Sequence, residues 1–155
     1  MPGLLIIAHA PLASALVTVA QHTFPDCARR LQGFDVRPEM TPEDIEAGLG
    51  PLLAQVRNPD ALILADVFGA TPCNVAQRLA GHVSAAAGAQ VKVVAGVNVP
   101  MLWRTLNHAD DPLDILVTCA TAGATQGVIP LASSRPQNQA QKTGAHDQDA
   151  HQHQQ

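Results

Sequence analysis

Leu4 to Ala8 is an unbroken apolar run that ends at His9, the pattern of a strand covered on both faces. Leu12, Ala15, Leu16, Val19 and Ala20 then recur at helical intervals, and Pro11 suits the first turn of that helix. Gly33 to Val36 predicts a second strand. Thr41-Pro42-Glu43-Asp44 follows with a cap, a first-turn proline and early acids, and Ile45, Leu49, Leu52, Leu53 and Val56 form the apolar face of the next helix. Gly48, Gly50 and Pro51 interrupt that face and predict a kink or a restart at Pro51.

Ala61 to Asp66 is the clearest buried strand and runs straight into Val67-Phe68-Gly69-Ala70-Thr71-Pro72. Thr71 is expected to cap a helix whose inner stripe is Val75, Ala76, Leu79, Ala80 and Val83, ending in the Ala/Gly-rich turn from Ala85 to Ala89. Gln90 to Val97 predicts the fourth strand, and Asn98-Val99-Pro100 opens a short helix carrying Met101, Leu102 and Leu106. Asp110-Asp111-Pro112 begins another, with Leu113, Leu116, Val117, Ala120 and Ala124 on one side. Val128 to Leu131 reads as a last, short strand. Four strands alternating with helices predict an α/β fold, a mainly parallel central sheet flanked by helices.

Composition sharpens this picture. A chain of 155 residues with 46% hydrophobic and 14% charged residues can bury a core without disulfide staples, and one domain over residues 1–132 is expected. From Ser133 the chain turns to Gln, Asn, His, Ala and Ser with almost no apolar side chain, so residues 133–155 are expected to form a disordered tail. A formal charge of -4, with three Phe, one Trp and no Tyr, excludes both a phosphate-backbone binder and a base-stacking platform, so nucleic acid is not an expected partner. Met1-Pro2-Gly3 lacks a basic region and the run that follows is too short for a signal peptide or a membrane span. Cys27, Cys73 and Cys119 show no pairing pattern, which points to a reducing cytoplasm.

Candidate chemistry gathers at one sheet edge. Ligands of open parallel sheets bind beyond the carboxyl ends of the strands, and three turns lie there: Ala8 to Pro11, Asp66 to Thr71, and Gly96 to Pro100. If the first and third strands are neighbours, Asp66 can hold one imidazole nitrogen of His9 and leave the other as a nucleophile. Gly69, Ala70 and Thr71 add backbone N–H groups at a helix start, suited to phosphate. Each feature alone has a structural explanation, as a strand-end histidine, a turn aspartate and a helix-start signal. Together they describe phosphoryl transfer through histidine. His22, His82 and His108 read as surface or capping residues, and His146, His151 and His153 of the tail could collect metal only weakly. No metal site and no cofactor is expected. Cys73, early in a helix, offers a cysteine-dependent hydrolase or redox sensor as a competing reading, though no base is placed for it locally.

The stretches Asp66-Val67-Phe68-Gly69-Ala70-Thr71-Pro72-Cys73-Asn74-Val75-Ala76, Val94-Ala95-Gly96-Val97-Asn98-Val99-Pro100-Met101-Leu102 and Leu5-Ile6-Ile7-Ala8-His9 closely resemble the mannose-family enzyme IIA component of the bacterial phosphotransferase system. The resemblance spans residues 3 to about 131. It implies that His9 accepts a phosphoryl group from the phosphocarrier protein HPr and passes it to an enzyme IIB domain, with Asp66 orienting the ring. It further implies a homodimer in which the C-terminal strand, here Val128 to Leu131, crosses to the partner. Ala10, and Ala70 after Gly69, stand where the family often has Gly, which puts the anion-site geometry in question more than the role of His9. No enzyme IIB domain follows the tail, so the acceptor is expected on another chain, or the protein acts as a phosphorylation-dependent regulator. Membrane association would then be indirect, through a sugar permease complex. Competing readings are the phosphotransferase subunit of dihydroxyacetone kinase and a non-enzymatic anion-binding α/β module.

Overall fold

The computed structural model describes residues 1–28 and 30–131, so the expected tail from Ser133 lies outside the described residues. In chain order the elements are β1 (Gly3–His9), α1 (Leu12–Thr23), α2 (Pro25–Ala28), β2 (Leu31–Val36), α3 (Pro42–Val56), β3 (Ala61–Ala65), α4 (Thr71–Ala87), β4 (Val91–Ala95), α5 (Val99–Asn107) and α6 (Leu113–Gln126). The four strands form one sheet in the order β2-β1-β3-β4, every pair parallel. After β1 the chain adds β2 on one side and then crosses back to add β3 on the other. The strand order therefore reverses between β1 and β3, and a crevice opens at their carboxyl ends.

Both sheet faces are covered, which is why β1 and β3 read as unbroken apolar runs. Leu4, Ile6 and Ala8 of β1 pack with Leu62 and Leu64 against α1, α5 and α6, while Leu5 and Ile7 pack with Ile63 and Ala65 against α3 and α4. Each of these aliphatic side chains is almost fully buried, worth roughly 1.5–3 kcal/mol for a Leu or Ile.

Local signals set most boundaries. Thr41 and Asp44 form a reciprocal capping box, Thr41 Oγ1 accepting from the Asp44 N–H at 3.2 Å and Asp44 Oδ2 from the Thr41 N–H at 3.0 Å. The helix they open continues through Pro51 without a restart. Ile45, Leu49 and Leu53, all buried, anchor it on both sides of the proline, and tertiary packing overrides the local penalty.

One expectation is corrected here. The buried stripe of α1 is Ala13, Leu16 and Ala20, with Leu12, Ala15 and Val19 exposed, because the apolar residues of this helix spread over more than half of its circumference and packing chose a neighbouring phase. Gly33 of β2 contributes to that choice. A Cβ there would lie 2.9 Å from Val17 Cγ2 and 3.1 Å from the Ala13 carbonyl oxygen, so only glycine lets α1 settle this close to the sheet. Val128 to Leu131, expected to pair across a dimer, is paired with no strand among the described residues, and Val128, Ile129 and Leu131 are 73%, 67% and 91% exposed.

Candidate functional site

Because β1 and β3 are neighbours with Ile7 opposite Ala65, the residues that follow emerge side by side at the carboxyl edge. The expected meeting of His9 and Asp66 is there: His9 Nδ1 lies 2.7 Å from Asp66 Oδ2. The same oxygen accepts the His9 backbone N–H at 2.8 Å, and Oδ1 accepts the Val67 N–H at 2.7 Å. Backbone and ring of His9 are thus tied to one carboxylate. The Asp66 side chain is 6% exposed, the His9 side chain 58%.

Burial alone pushes the Asp66 carboxyl up. The backbone N–H of His9, its ring, the Val67 N–H and attraction to a charged imidazole together outweigh burial and hold the group below its ordinary value. An ionised carboxylate can only accept, so Nδ1 of the neutral ring carries the proton. Nε2 keeps its lone pair on the exposed side of the ring.

The turn after β3 is locked by its own geometry. The Ala70 N–H reaches the Val67 carbonyl at 3.3 Å, and Gly69 between them has φ +81, a backbone region that side chains strain. Here the sequence reading needs a correction: Thr71 does not cap α4. Asn74 N–H bonds Ala70 O at 3.0 Å, which makes Ala70 the cap and Thr71 the first helical residue. Ala70 has no side-chain cap to offer and Pro72 has no N–H. Among the described residues, the N–H groups of Thr71 and Cys73 have no acceptor, and the helix start is open to an anion. Gly69, Ala70 and Thr71 therefore lie beside His9 and Asp66 at one edge. Asn74, unnoticed in the sequence, ties this turn down through its amide to the Gly69 carbonyl at 3.1 Å.

The third turn at this edge supports the others. Gly96 N–H donates to the Asp66 carbonyl at 3.0 Å and Val97 N–H to the Ala65 carbonyl at 2.9 Å. Asn98 faces away and caps α5 through the Met101 N–H at 2.8 Å. A further residue that sequence reasoning missed is Asp35 of β2, whose Oδ1 accepts from Ala13 N–H at 2.9 Å and Ser14 N–H at 3.2 Å. Its partners are 22 and 21 positions away, and no local pattern announces them.

Of the other candidates, Cys73 is buried and Cys119 partly buried, both free thiols. His108 caps α5 and pairs with Asp111 at 2.8 Å, while His82 is exposed near Glu46 at 3.7 Å. Among the described residues no group of three or more His, Cys, Asp or Glu side chains is placed to hold a metal ion. A cavity of about 690 Å³ lined by Gly3, Arg30, Gln32 and Arg57 opens at the opposite, amino end of the strands. His9 lies on an open rim, with Leu12, Val67 and Phe68 of the flanking turns 40%, 55% and 78% exposed.

A parallel α/β sheet with a histidine–aspartate pair at its switch point defines an α/β protein with a candidate site for nucleophilic chemistry at a strand-end imidazole. The family model described as the PTS system fructose IIA component matches residues 3–114, and the chain belongs to this mannose-type enzyme IIA family. The mannose/sorbose-specific IIA subunit of the phosphotransferase system from Enterococcus faecalis is similar in structure, with TM-score 0.76 at 25% identity over 86% of this chain and 97% of that one. Phosphotransferase system component EIIA from Streptococcus agalactiae shares the fold, with TM-score 0.75 at 20% identity over 84% of this chain and 97% of that one. No curated protein matches the sequence. No helix among the described residues is long and apolar enough to cross a membrane.

Proposed function

We propose that this phosphotransferase-system component is a cytoplasmic phosphoryl carrier. His9 takes a phosphoryl group from phosphorylated HPr and passes it to an enzyme IIB acceptor on another chain, or holds it as a regulatory mark. The observation that carries this reading is the pair itself, an exposed imidazole whose Nδ1 is held by a buried, ionised Asp66. In the forward step the Nε2 lone pair of His9 attacks phosphorus, the N–P bond of the donor phosphohistidine breaks, and its electron pair returns to the donor ring. Nδ1–H stays on Asp66, whose charge balances the imidazolium as the group arrives. The N–H groups of Gly69 and Thr71 hold phosphoryl oxygens at the start of α4, while Ala70, its own N–H held by the Val67 carbonyl, fixes the turn between them.

The open rim favours a protein donor over a small molecule, since small ligands are held in concave pockets. Exposed Val67 and Phe68 supply apolar contact beside the nucleophile. The chain forms a homodimer: Val128, Ile129 and Leu131 are apolar, exposed and, among the described residues, paired with no strand, and a second copy supplies one.

Incubation with enzyme I, HPr and labelled phosphoenolpyruvate tests the assignment. Acid-labile, base-stable label is expected on the unmodified protein, and none on a folded His9→Gln variant. Label retained by His9→Gln would overturn it.

A further inference from the structure

Four helices, α1, α3, α4 and α5, begin at the edge that carries His9. Thr41 and Asn98 cap α3 and α5 with their side chains. At α1 and α4, which follow the turns after His9 and Asp66, the cap residue has no side-chain acceptor for the N–H donors at the positive end of the helix dipole. These two are treated differently. At α4 the cap is Ala70, without a side-chain acceptor. At α1 the cap is Pro11, which has none either, but a carboxylate from another strand fills the place: Asp35 Oδ1 accepts from both Ala13 N–H at 2.9 Å and Ser14 N–H at 3.2 Å. The next residue extends the grip, as the Val36 carbonyl accepts the Ala10 N–H at 2.9 Å. The end of β2 therefore holds the turn that follows His9 at both of its ends, opposite the side on which Asp66 holds His9. Gly33, two residues earlier on the same face of β2, allows α1 to come this close.

We propose that Asp35 is a positioning residue for phosphoryl transfer, an inference that rests on His9 being the acceptor. Its carboxylate closes the start of α1 to anions and fixes the His9 turn. The incoming phosphoryl group then meets one open helix start, that of α4, instead of two competing ones. A plain cap would need only an acceptor oxygen at this position. Closing a site to anions needs the negative charge as well, and Asp35→Asn separates the two.

The test uses the full chain labelled with ¹⁵N and titrated with inorganic phosphate, beside phosphorylation rates measured with enzyme I, HPr and phosphoenolpyruvate. In the unmodified protein phosphate should shift the amides of Thr71 and Cys73 and leave those of Ala13 and Ser14 unmoved. In Asp35→Ala all four should respond. Asp35→Asn should melt within a few degrees of the unmodified protein yet transfer about tenfold more slowly, the scale of one charge acting on a helix end. An unmodified transfer rate in Asp35→Asn would reduce Asp35 to a structural cap and overturn the proposal. So would a phosphate response at Ala13 and Ser14 while Asp35 is present. If the unmodified protein takes no label, the carrier reading fails, and the division of amide responses still decides whether Asp35 directs anions.

Discussion

Replacing Asp66 with Asn keeps the side chain's shape and leaves one acceptor oxygen where the carboxylate has two. With that oxygen toward His9, the new NH₂ group faces the Val67 N–H, which now bonds at 2.7 Å, in a place where the side chain is 6% exposed. Two opposed donors there cost roughly 1–3 kcal/mol of stability. With the amide reversed, NH₂ faces the His9 N–H and the ring. The tautomer that accepts from it carries its proton on Nε2, and the nucleophilic lone pair is lost. Both orientations remove the charge that balances the ring as phosphorus approaches, and charge-assisted bonds are about twice as strong as neutral ones. Transfer should therefore slow by roughly two to four powers of ten, the scale of losing an orienting carboxylate from a catalytic histidine. That corresponds to about 3–5 kcal/mol of barrier. Rapid-quench phosphorylation of the purified variant, with a thermal melt of the same sample, reads both effects. A variant that is destabilised but accepts phosphate at the unmodified rate would refute the argument, because Asp66 would then only hold the strand ends together.

Other outcomes follow from the same contacts. The Asp66 carboxyl sits below its ordinary value of 3.8 in the folded chain, so its contribution to stability is full above 3.8 and is lost as pH falls through the lower folded value. The acid arm of a melting-temperature profile should accordingly be shallower in Asp66→Asn. Gly33→Ala should destabilise the chain by about 1–3 kcal/mol, as overpacking in a core does, and weaken the protection of the Ala13 amide from hydrogen exchange by lifting α1 off Asp35. Removing residues 133–155 should leave melting temperature and transfer rate unchanged, whereas cutting before Val128 should shift sedimentation toward monomer. An intact dimer after that second cut would refute the exchanged-strand assignment.

Much of the fold was legible because the signals are local. The apolar runs at Leu4 and Ala61 and the capping sequence at Thr41 each identify an element within a few residues. The candidate pair was legible too, since His9 and Asp66 end two such runs and neighbouring parallel strands bring those ends together. What stayed hidden depends on distant partners. In α1 the apolar arc is wider than the face that packs, so Ala13 could not be told from Leu12 as a core position until Gly33 had drawn one side inward. The cap of α1 lies on another strand. At α4 the Thr71 hydroxyl matches the usual cap signal, but the helix begins one residue earlier and takes Ala70 as its cap. Val128 to Leu131 has the composition of a strand and finds no partner among the described residues of its own chain.

The attachment of both the backbone and the ring of His9 to a single carboxylate oxygen has a kinetic consequence. The imidazole cannot swing from one partner to another while Asp66 holds it, so it presents Nε2 in one direction only. In the proposed carrier role, donor and acceptor would then use the same opening in turn, and no complex containing both would be productive. Transfer through this chain should show two half-reactions with parallel double-reciprocal lines, each partner competing with the other for the unoccupied rim. In such a relay, departure of the first protein would limit throughput alongside the transfer step itself.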